Sequence, residues 1–382
     1  MNFTENPIHV CHITSVHPAD DVRIFIKECR TLAKAGYNVS LIAPGTKCKN
    51  KEGVRIVGIS PSKGGRVFRM TVTARRVFQA ALKEDTHIYH FHDPELLGVG
   101  MLLKLFTGKK IIYDVHEDYC KQTLSKSYIP KILRKSIGFL IRIIEYLSSK
   151  IFEGIVTATD DILKNFSHHK RAVSIKNFPI LSDFSIFREN RDKNKEMFNL
   201  IYLGGIAEIR GITQIIRALE FIDSNIQLKL TLCGKFDSTN YELEITSLEG
   251  FKKVEYLGWM SPSDIPKFLR NFDAGIVCLH PISNYLTSLP IKLFEYMAAG
   301  LPVIASNFPL WKEIVEGNKC GICVDPLDLE AIADAIKYLL KHPKERKKMG
   351  NNGRCAVLQK YNWEKESGKL TNLYKALLKN DH

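Results

Sequence analysis

The sequence lacks any uninterrupted apolar run approaching the roughly 18–20 residues that a membrane-spanning helix needs, which argues against an integral helical membrane protein. It also shows no targeting segment. Residues 1–7 are polar and residues 9–16 are too short and too polar for a signal core, so a cytoplasmic location is expected. The nine cysteines are scattered and odd in number, as in a reducing compartment rather than a disulfide framework. Cys320-Gly-Ile-Cys323 has no second pair and no clustered histidines, and reads as two strand residues near a turn rather than a zinc site. Negative charge is the scarcer sign: 41 Asp and Glu against 55 Lys and Arg give a formal net charge of +14. Such an excess implies a polyanionic partner. Neither paired C-x-x-C fingers nor an RNP-like aromatic strand accompanies it, so nucleic acid is set aside. An anionic membrane surface or a phosphorylated substrate is left.

What is present is a long alternation of strands and helices, enough at 382 residues for two domains with their own cores. Residues 9–16 read as a strand. The spacing of Val22, Phe25, Ile26, Cys29, Leu32 and Ala33 predicts a helix ending at Gly36, and residues 38–43 a second strand. The pattern continues through 54–59, a basic helix around 66–82, the stretch 87–94, a helix over 95–106 and a strand at 110–115. A strand at 154–159 closes the first sheet. Repeated βα units give a parallel, doubly wound sheet, whose ligand site lies beyond the carboxyl ends of the strands. Three such ends carry polar groups, in the loops 16–23, 90–95 and 114–118. A single loop histidine is ordinary; histidines and carboxylates at three ends of one sheet converge on one place.

Residues 121–152 interleave Lys121, Lys126, Lys131, Arg134, Lys135, Arg142 and Lys150 with Ile, Leu and Phe. A basic, strongly apolar helix can lie on an anionic membrane. The expectation here is divided: the apolar ridge over 141–147 packs into the core, while the 121–135 end, extended by the basic helix around 66–76, forms the membrane or acceptor surface.

A composition shift at 176–196, with Pro179 inside it, marks the domain boundary. Beyond it, strand 200–203 runs into Gly204-Gly205-Ile-Ala-Glu-Ile-Arg210-Gly211 and an amphipathic helix. Glycines at a strand–helix turn let backbone N–H groups approach a pyrophosphate, and an arginine there can chelate its oxygens. Further strands are expected at 227–233, 254–257, 274–279, 302–305 and 321–324, with a helix over 327–340.

The stretch Ser288-Leu-Pro-Ile-Lys-Leu-Phe-Glu-Tyr-Met-Ala-Ala-Gly300 reads as a short helix with both ends marked. Thr287 or Ser288 supplies the cap, Pro290 falls in the first turn, and Gly300 ends the helix in the left-handed region. Lys292 and Glu295 share a face behind an N-terminus that favours an anion. That combination suits a nucleotide diphosphate, with phosphates at the helix start and ribose hydroxyls on Glu295; the plainer alternative is a surface ion pair on an ordinary βα unit.

Phe294-Glu-Tyr-Met-Ala-Ala-Gly-Leu-Pro-Val-Ile-Ala-Ser306 resembles the C-terminal signature of retaining glycosyltransferases of the GT-B fold, family 4. His90-Phe-His-Asp-Pro94 resembles that family's His-x-His-acid-Pro motif, and Tyr361-Asn-Trp-Glu364 its closing segment. The resemblance implies an α/β GT-B architecture of two Rossmann-like doubly wound parallel-sheet domains with an interdomain cleft. Residues 1–180 would bind acceptor, 181–360 nucleotide sugar, and 361–382 would pack back on the first domain. It implies catalytic roles for His92, Asp93, His116, Arg210 and Lys292. Donor binding would fall to Gly204, Gly205, Arg210, Glu295 and the turn Thr287, Ser288, Leu289, Pro290, Ile291, Lys292. His17, Arg23, Lys131, Arg134 and Lys135 are expected to meet the acceptor or a membrane. Two departures stand out: Gly205 occupies the place of an arginine usual in the glycine loop, and Thr287 the place of a glutamate eight positions before Glu295.

The activity implied is transfer of a hexose-type sugar from a UDP- or GDP-linked donor, with retained configuration, to a lipid-linked or oligosaccharide acceptor in surface-polysaccharide assembly. No Asp-x-Asp pair is present, and no metal or cofactor is expected. A monomer or homodimer, peripheral on the inner face of the plasma membrane, fits the charge. The alternatives are a GT-B sugar-nucleotide epimerase or hydrolase, and a weakly catalytic nucleotide-binding partner subunit of a membrane complex.

Overall fold

The computed structural model describes residues 7–45, 47–60, 66–125, 129–185 and 197–379. The chain divides into two units, Met1–Asn177 with Lys365–His382, and Phe178–Glu364. Lys126 and the whole charged stretch 188–196 lie outside the described residues.

The first unit is built on an eight-stranded sheet. Its strands are β1 (His9–Ile13), β2 (Asn38–Pro44), β3 (Lys49–Lys51), β4 (Val54–Ile59), β5 (Ile88–Phe91), β6 (Lys110–Val115), β7 (Gly154–Thr157) and β8 (Ala172–Ser174). Their order is β3-β4-β2-β1-β5-β6-β7-β8, and all pair in parallel except the exposed edge strand β3. β1, β5 and β7 are buried throughout, as strands covered on both faces must be. The sheet does not close at β7 as the sequence suggests: β8 pairs beyond it through Val156 and Val173. Its helices are α1 (Arg30–Lys34), α2 (Arg66–Ala81), α3 (Leu97–Thr107), α4 (Tyr119–Ser125), α5 (Lys131–Ser149) and α6 (Asp160–Leu163). A π-wound segment, Val22–Cys29, leads into α1, and the Asp21 carboxylate caps it by accepting from the N–H groups of Arg23 and Ile24.

The second unit carries β9 (Phe198–Leu203), β10 (Leu228–Cys233), β11 (Val254–Gly258), β12 (Ala274–Val277), β13 (Val303–Ser306) and β14 (Gly321–Val324). Their order, β11-β10-β9-β12-β13-β14, is the doubly wound arrangement in which β9 starts both halves. The helices are α7 (Ile212–Ala218), α8 (Thr239–Thr246), α9 (Ile265–Phe268), α10 (Ile291–Ala298), α11 (Pro309–Val315), α12 (Leu329–Lys341), α13 (Pro343–Gln359) and α14 (Trp363–Leu378), most of the last belonging to the first unit. Two apolar layers cover the two faces of this sheet, one around Trp311, Phe294 and Tyr296, the other around Ile212, Ile215 and Ile336.

The ends of α10 differ from their sequence reading in one respect. Gly300 is left-handed at φ 69°, and the Leu301 and Gly300 N–H groups donate to Tyr296 and Met297, closing the helix as expected. At the start, however, Pro290 is the cap itself and no side chain caps the helix. Ser288 Oγ instead donates 3.0 Å back to the Tyr285 carbonyl.

Candidate functional site

Each sheet has one point where its strand order reverses: between β1 and β5 in the first unit, between β9 and β12 in the second. Open parallel sheets bind ligands at such points. Both points are rich in polar side chains.

In the first unit, alternation along β1 and β5 turns His12 and His90 to one face, and His92 follows at the end of β5. The three rings pack at 4.5–5.2 Å between centroids, His92 stacked on the other two, and all are fully buried. Asp114 on β6 organises them. Its carboxylate takes both prongs of the Arg23 guanidinium at 2.8 Å, and also faces His92 Nδ1 at 3.1 Å and His116 Nε2 at 3.0 Å. Burial opposes ionisation of Asp114, but the Arg23 charge and the hydrogen bonds from His116 and His92 hold it well below the usual carboxylate range. A charged Asp114 makes His92 Nδ1 a donor, so His92 Nε2 accepts from His12 Nδ1 at 2.9 Å. His12 Nε2 in turn faces the Tyr374 hydroxyl at 3.3 Å, and that hydroxyl faces His90 Nδ1 at 2.8 Å. Burial pushes His12, His90 and His92 below the usual imidazole range, so all three are neutral at pH 7.

These contacts show where several expected residues lie. Arg23, expected on an acceptor or membrane surface, is buried at 4 % exposure, because its partner carboxylate lies inside the domain. His92 has both ring nitrogens engaged and no exposed surface. Asp93 is a loop organiser: its Oδ2 accepts from Thr14 Oγ1 at 2.8 Å, Ser15 N at 2.6 Å and Ser15 Oγ at 3.1 Å. His116 is different. Among the described residues only its Nε2 is bound, to Asp114 with His92 Nδ1 3.3 Å away, and its side chain is 15 % exposed. His17, 32 % exposed, stands next in line, its ring 5.2 Å from that of His116 and its nitrogens near Asp21 and Asp93. The ligand atoms of His12, Glu28, His90 and His92, and those of His92, Asp114 and His116, lie within 4.8 Å of one another, close enough to hold an ion. Hydrogen bonds account for the closeness of the second group; in the first, both Glu28 oxygens are buried without a hydrogen-bond partner among the described residues, and the nearest cation is Arg23 Nε at 3.2 Å. His12, Glu28, Asp114 and Tyr374 were not singled out by sequence reading, although the His-x-His spacing on β5 pointed to their neighbourhood.

In the second unit β9 is followed by Gly204, whose φ of 109° a side chain would strain. Space is tight as well: a Cβ there would lie 3.0 Å from Lys292 Nζ and 3.5 Å from Arg210 Nη1. The same guanidinium lies over Gly205, with Cζ 3.6 Å from a Cβ position. Arg210 thus covers the place where an arginine side chain is absent. Lys292, on the first turn of α10, is buried at 8 % exposure, and its ammonium has no hydrogen-bond partner among the described residues. It rests 3.8 Å from the centre of the Tyr202 ring. Burial, then repulsion from Arg210, push its pKa well below the usual lysine value, with Glu295 opposing. Glu295 is half-buried on the same helix, and Thr287, Ser288, Leu289, Pro290 and Ile291 form the half-buried approach to it. Tyr202 and Tyr296, absent from the sequence reading, shape this site; the Tyr296 hydroxyl accepts from the Leu203 N–H at 2.9 Å.

Of the remaining expected residues, Lys131 and Lys135 are exposed on α5, while Arg134 is half-buried and donates to the Ile129 carbonyl at 2.8 Å. The ridge over 141–147 that the sequence places in the core is largely exposed: Ile143 is 38 %, Ile144 39 % and Leu147 55 % accessible. The domain offers α5 only its narrow side, around Gly138, Glu145, Ser148 and Ser149.

Two doubly wound domains, the second with a glycine turn under two cations, define the GT-B class of nucleotide-binding architecture. Comparison with known proteins agrees in both halves. Residues 183–355 match the family Glycosyl transferases group 1, and residues 23–175 match Glycosyltransferase Family 4. By family, the chain belongs to the GT-B glycosyltransferases. It is 27 % identical over 177 residues to an uncharacterized glycosyltransferase of Methanocaldococcus jannaschii, 46 % of this chain and 44 % of that protein. It is 20 % identical over 295 residues to the MMP alpha-(1->4)-mannosyltransferase of Mycolicibacterium hassiacum, 74 % of this chain and 69 % of the other. It is 26 % identical over 260 residues to the chitobiosyldiphosphodolichol beta-mannosyltransferase of Kluyveromyces lactis, 59 % of this chain and 57 % of the other. The chain thus spans about half to two-thirds of the lengths of these relatives. Among solved structures, sucrose-phosphate synthase from Thermosynechococcus elongatus shares the fold at a TM-score of 0.79 and 18 % identity, over 98 % of this chain and 100 % of that one. Anabaena HepE in complex with UDP and glucose does so at 0.72 and 12 %, over 97 % and 100 %.

Proposed function

We propose that the protein transfers a hexose-type sugar from a nucleotide diphosphate donor, UDP- or GDP-linked, to a hydroxyl of a lipid-linked saccharide in cell-surface polysaccharide assembly. The observation that carries this reading is Lys292: a buried ammonium without a hydrogen-bond partner, aimed with Arg210 at a glycine turn. A buried cation of this kind is costly until an anion meets it. A diphosphate fits, because the glycines leave room for its oxygens and their N–H groups can donate to it. Glu295 then takes the ribose hydroxyls. The named relatives include two mannosyltransferases, and one fold neighbour holds UDP and glucose.

In the reaction the sugar C1–O bond breaks and its electron pair passes to the diphosphate, where Arg210 and Lys292 neutralise the developing charge. The acceptor oxygen forms the new bond to C1, and its proton goes to the departing phosphate oxygen. Two protein cations supply this neutralisation, so no metal is assigned to the step. In the first unit, His116 meets the acceptor through its open Nδ1, while Asp114 and His92 orient it. We assign retention of configuration on the family resemblance; the relatives' names include both an alpha- and a beta-mannosyltransferase, so the product anomer must be measured.

The test begins with thermal stabilisation by UDP, GDP, ADP and dTDP and their sugars. The matching sugar nucleotide is then incubated with isolated membranes as acceptor and the product anomer read by NMR. Stabilisation by one diphosphate and an alpha-configured product from an alpha donor support the proposal. Binding without transfer to any acceptor, with free sugar released, would favour a hydrolase.

A further inference from the structure

α5 is amphipathic with its faces turned the opposite way from a core helix. The side packed on the domain is small or polar: Gly138, Glu145, Ser148 and Ser149. The side turned to solvent carries Ile132 at 86 % exposure, Phe139 at 65 %, Leu140 at 55 % and Leu147 at 55 %. α3 lies alongside, with Met101 Sδ 3.6 Å from Ser148 Oγ, and its end adds Leu105 at 77 % and Phe106 at 67 % exposure. Water is a poor partner for so continuous an apolar surface.

Charge identifies the partner. The single acidic residue of α5, Glu145, is turned inward, its carboxylate 3.1 Å from the Tyr113 hydroxyl, and α3 has none. Lys131 and Lys135 are exposed on α5, and Lys150 is exposed at its C-terminal cap. An apolar face rimmed by cations and free of anions complements a lipid bilayer with acidic headgroups. A second copy of the same face would bring these cations against one another. No described helix is long and apolar enough to cross a membrane. Both helices therefore meet the membrane lying in its plane.

We propose that α5 and the end of α3 dock the protein on an anionic lipid surface, with Phe139, Leu140, Leu147, Leu105 and Phe106 entering the acyl boundary and Lys131, Lys135 and Lys150 meeting headgroup phosphates. This deepens the proposed function, since a lipid-linked acceptor resides in that surface, but the docking itself is independent of the chemistry.

Flotation of the full chain with vesicles tests it, using phosphatidylcholine alone and phosphatidylcholine with about one-third phosphatidylglycerol. The wild type should float with the anionic vesicles, and less so as salt rises. Each cation near an anionic surface strengthens partitioning roughly fivefold, so Lys131→Glu/Lys135→Glu should weaken it at least roughly twenty-fivefold. Phe139→Ser/Leu147→Ser should weaken it on both vesicle types, because it removes the apolar anchor. Both variants should keep wild-type stabilisation by nucleotide, which separates failure of docking from failure of the catalytic reading. Three results would overturn the proposal: no flotation of the wild type, flotation unchanged in both variants, or concentration-dependent self-association abolished by Phe139→Ser/Leu147→Ser without lipid binding.

Discussion

Lys292→Met should change two measurable quantities in opposite directions. In the free protein the ammonium is buried and without a hydrogen-bond partner, which costs about 1–3 kcal/mol. Its contact with the Tyr202 ring returns about 0.5–2 kcal/mol. Methionine keeps the length and apolar stem of the side chain, so the net effect is stabilisation by about 1 kcal/mol. For a domain of this size that raises Tm by about 2–4 °C. Binding responds the other way. Losing a charge-assisted bond to a phosphate costs about 1.5–3 kcal/mol, or roughly 10- to 150-fold in Kd. A protonation signature accompanies it. Burial and Arg210 depress the Lys292 pKa and a phosphate restores it, so the wild type should take up protons on binding where the free amine is deprotonated. Titration calorimetry in buffers of different ionisation enthalpy, across about pH 7–9, reads both Kd and proton uptake. Unaltered nucleotide affinity together with a lower Tm would refute the reasoning and make Lys292 a structural residue.

Arg210→Ala should cut turnover roughly 100- to 1000-fold while circular dichroism and Tm stay near wild type, since the guanidinium sits over the glycine turn rather than in the core; near-normal activity would remove it from the mechanism. His116→Gln should lower turnover by about tenfold or more with little effect on stability, whereas His92→Ala should destabilise the first unit by about 2–4 kcal/mol by emptying a buried site and removing one hydrogen-bond partner each from Asp114 and His12, as chemical denaturation would show. His17 is partly buried, which alone would lower its pKa, but Asp21, Asp93 and Asp114 more than offset this and raise it above the usual value. Its contribution to stability is therefore full below about pH 6.5 and lost as pH rises through the raised folded value, so the stability gap between wild type and His17→Gln should shrink as pH rises above about 6.5.

Much of the architecture was legible because strand and helix periods differ. β4, β6 and β14 begin and end where their apolar runs do. β3 and β8 were not legible: each is three residues long, and one is fully exposed, so neither carries a period. The glycine turn, Arg210 and Lys292 could be placed together because loops after parallel strands gather at one end of a sheet. The buried partners of Arg23, Asp93 and His92 could not be read, for one shared reason. Each is fixed by a partner 22 to 91 positions away, and one-dimensional spacing does not say whether a charge finds such a partner inside the fold. The α5 ridge failed differently. Helical periodicity shows that one side is apolar but not which way that side points, and only the packing of Glu145 and Ser148 settles it.

The most direct test of the central claim is a crystal structure of the protein with the nucleoside diphosphate that stabilises it best. The account predicts a diphosphate over Gly204 and Gly205, with its oxygens within about 3 Å of Lys292 Nζ and the Arg210 guanidinium. A nucleotide bound elsewhere, with Lys292 still resting unpaired against Tyr202, would contradict it.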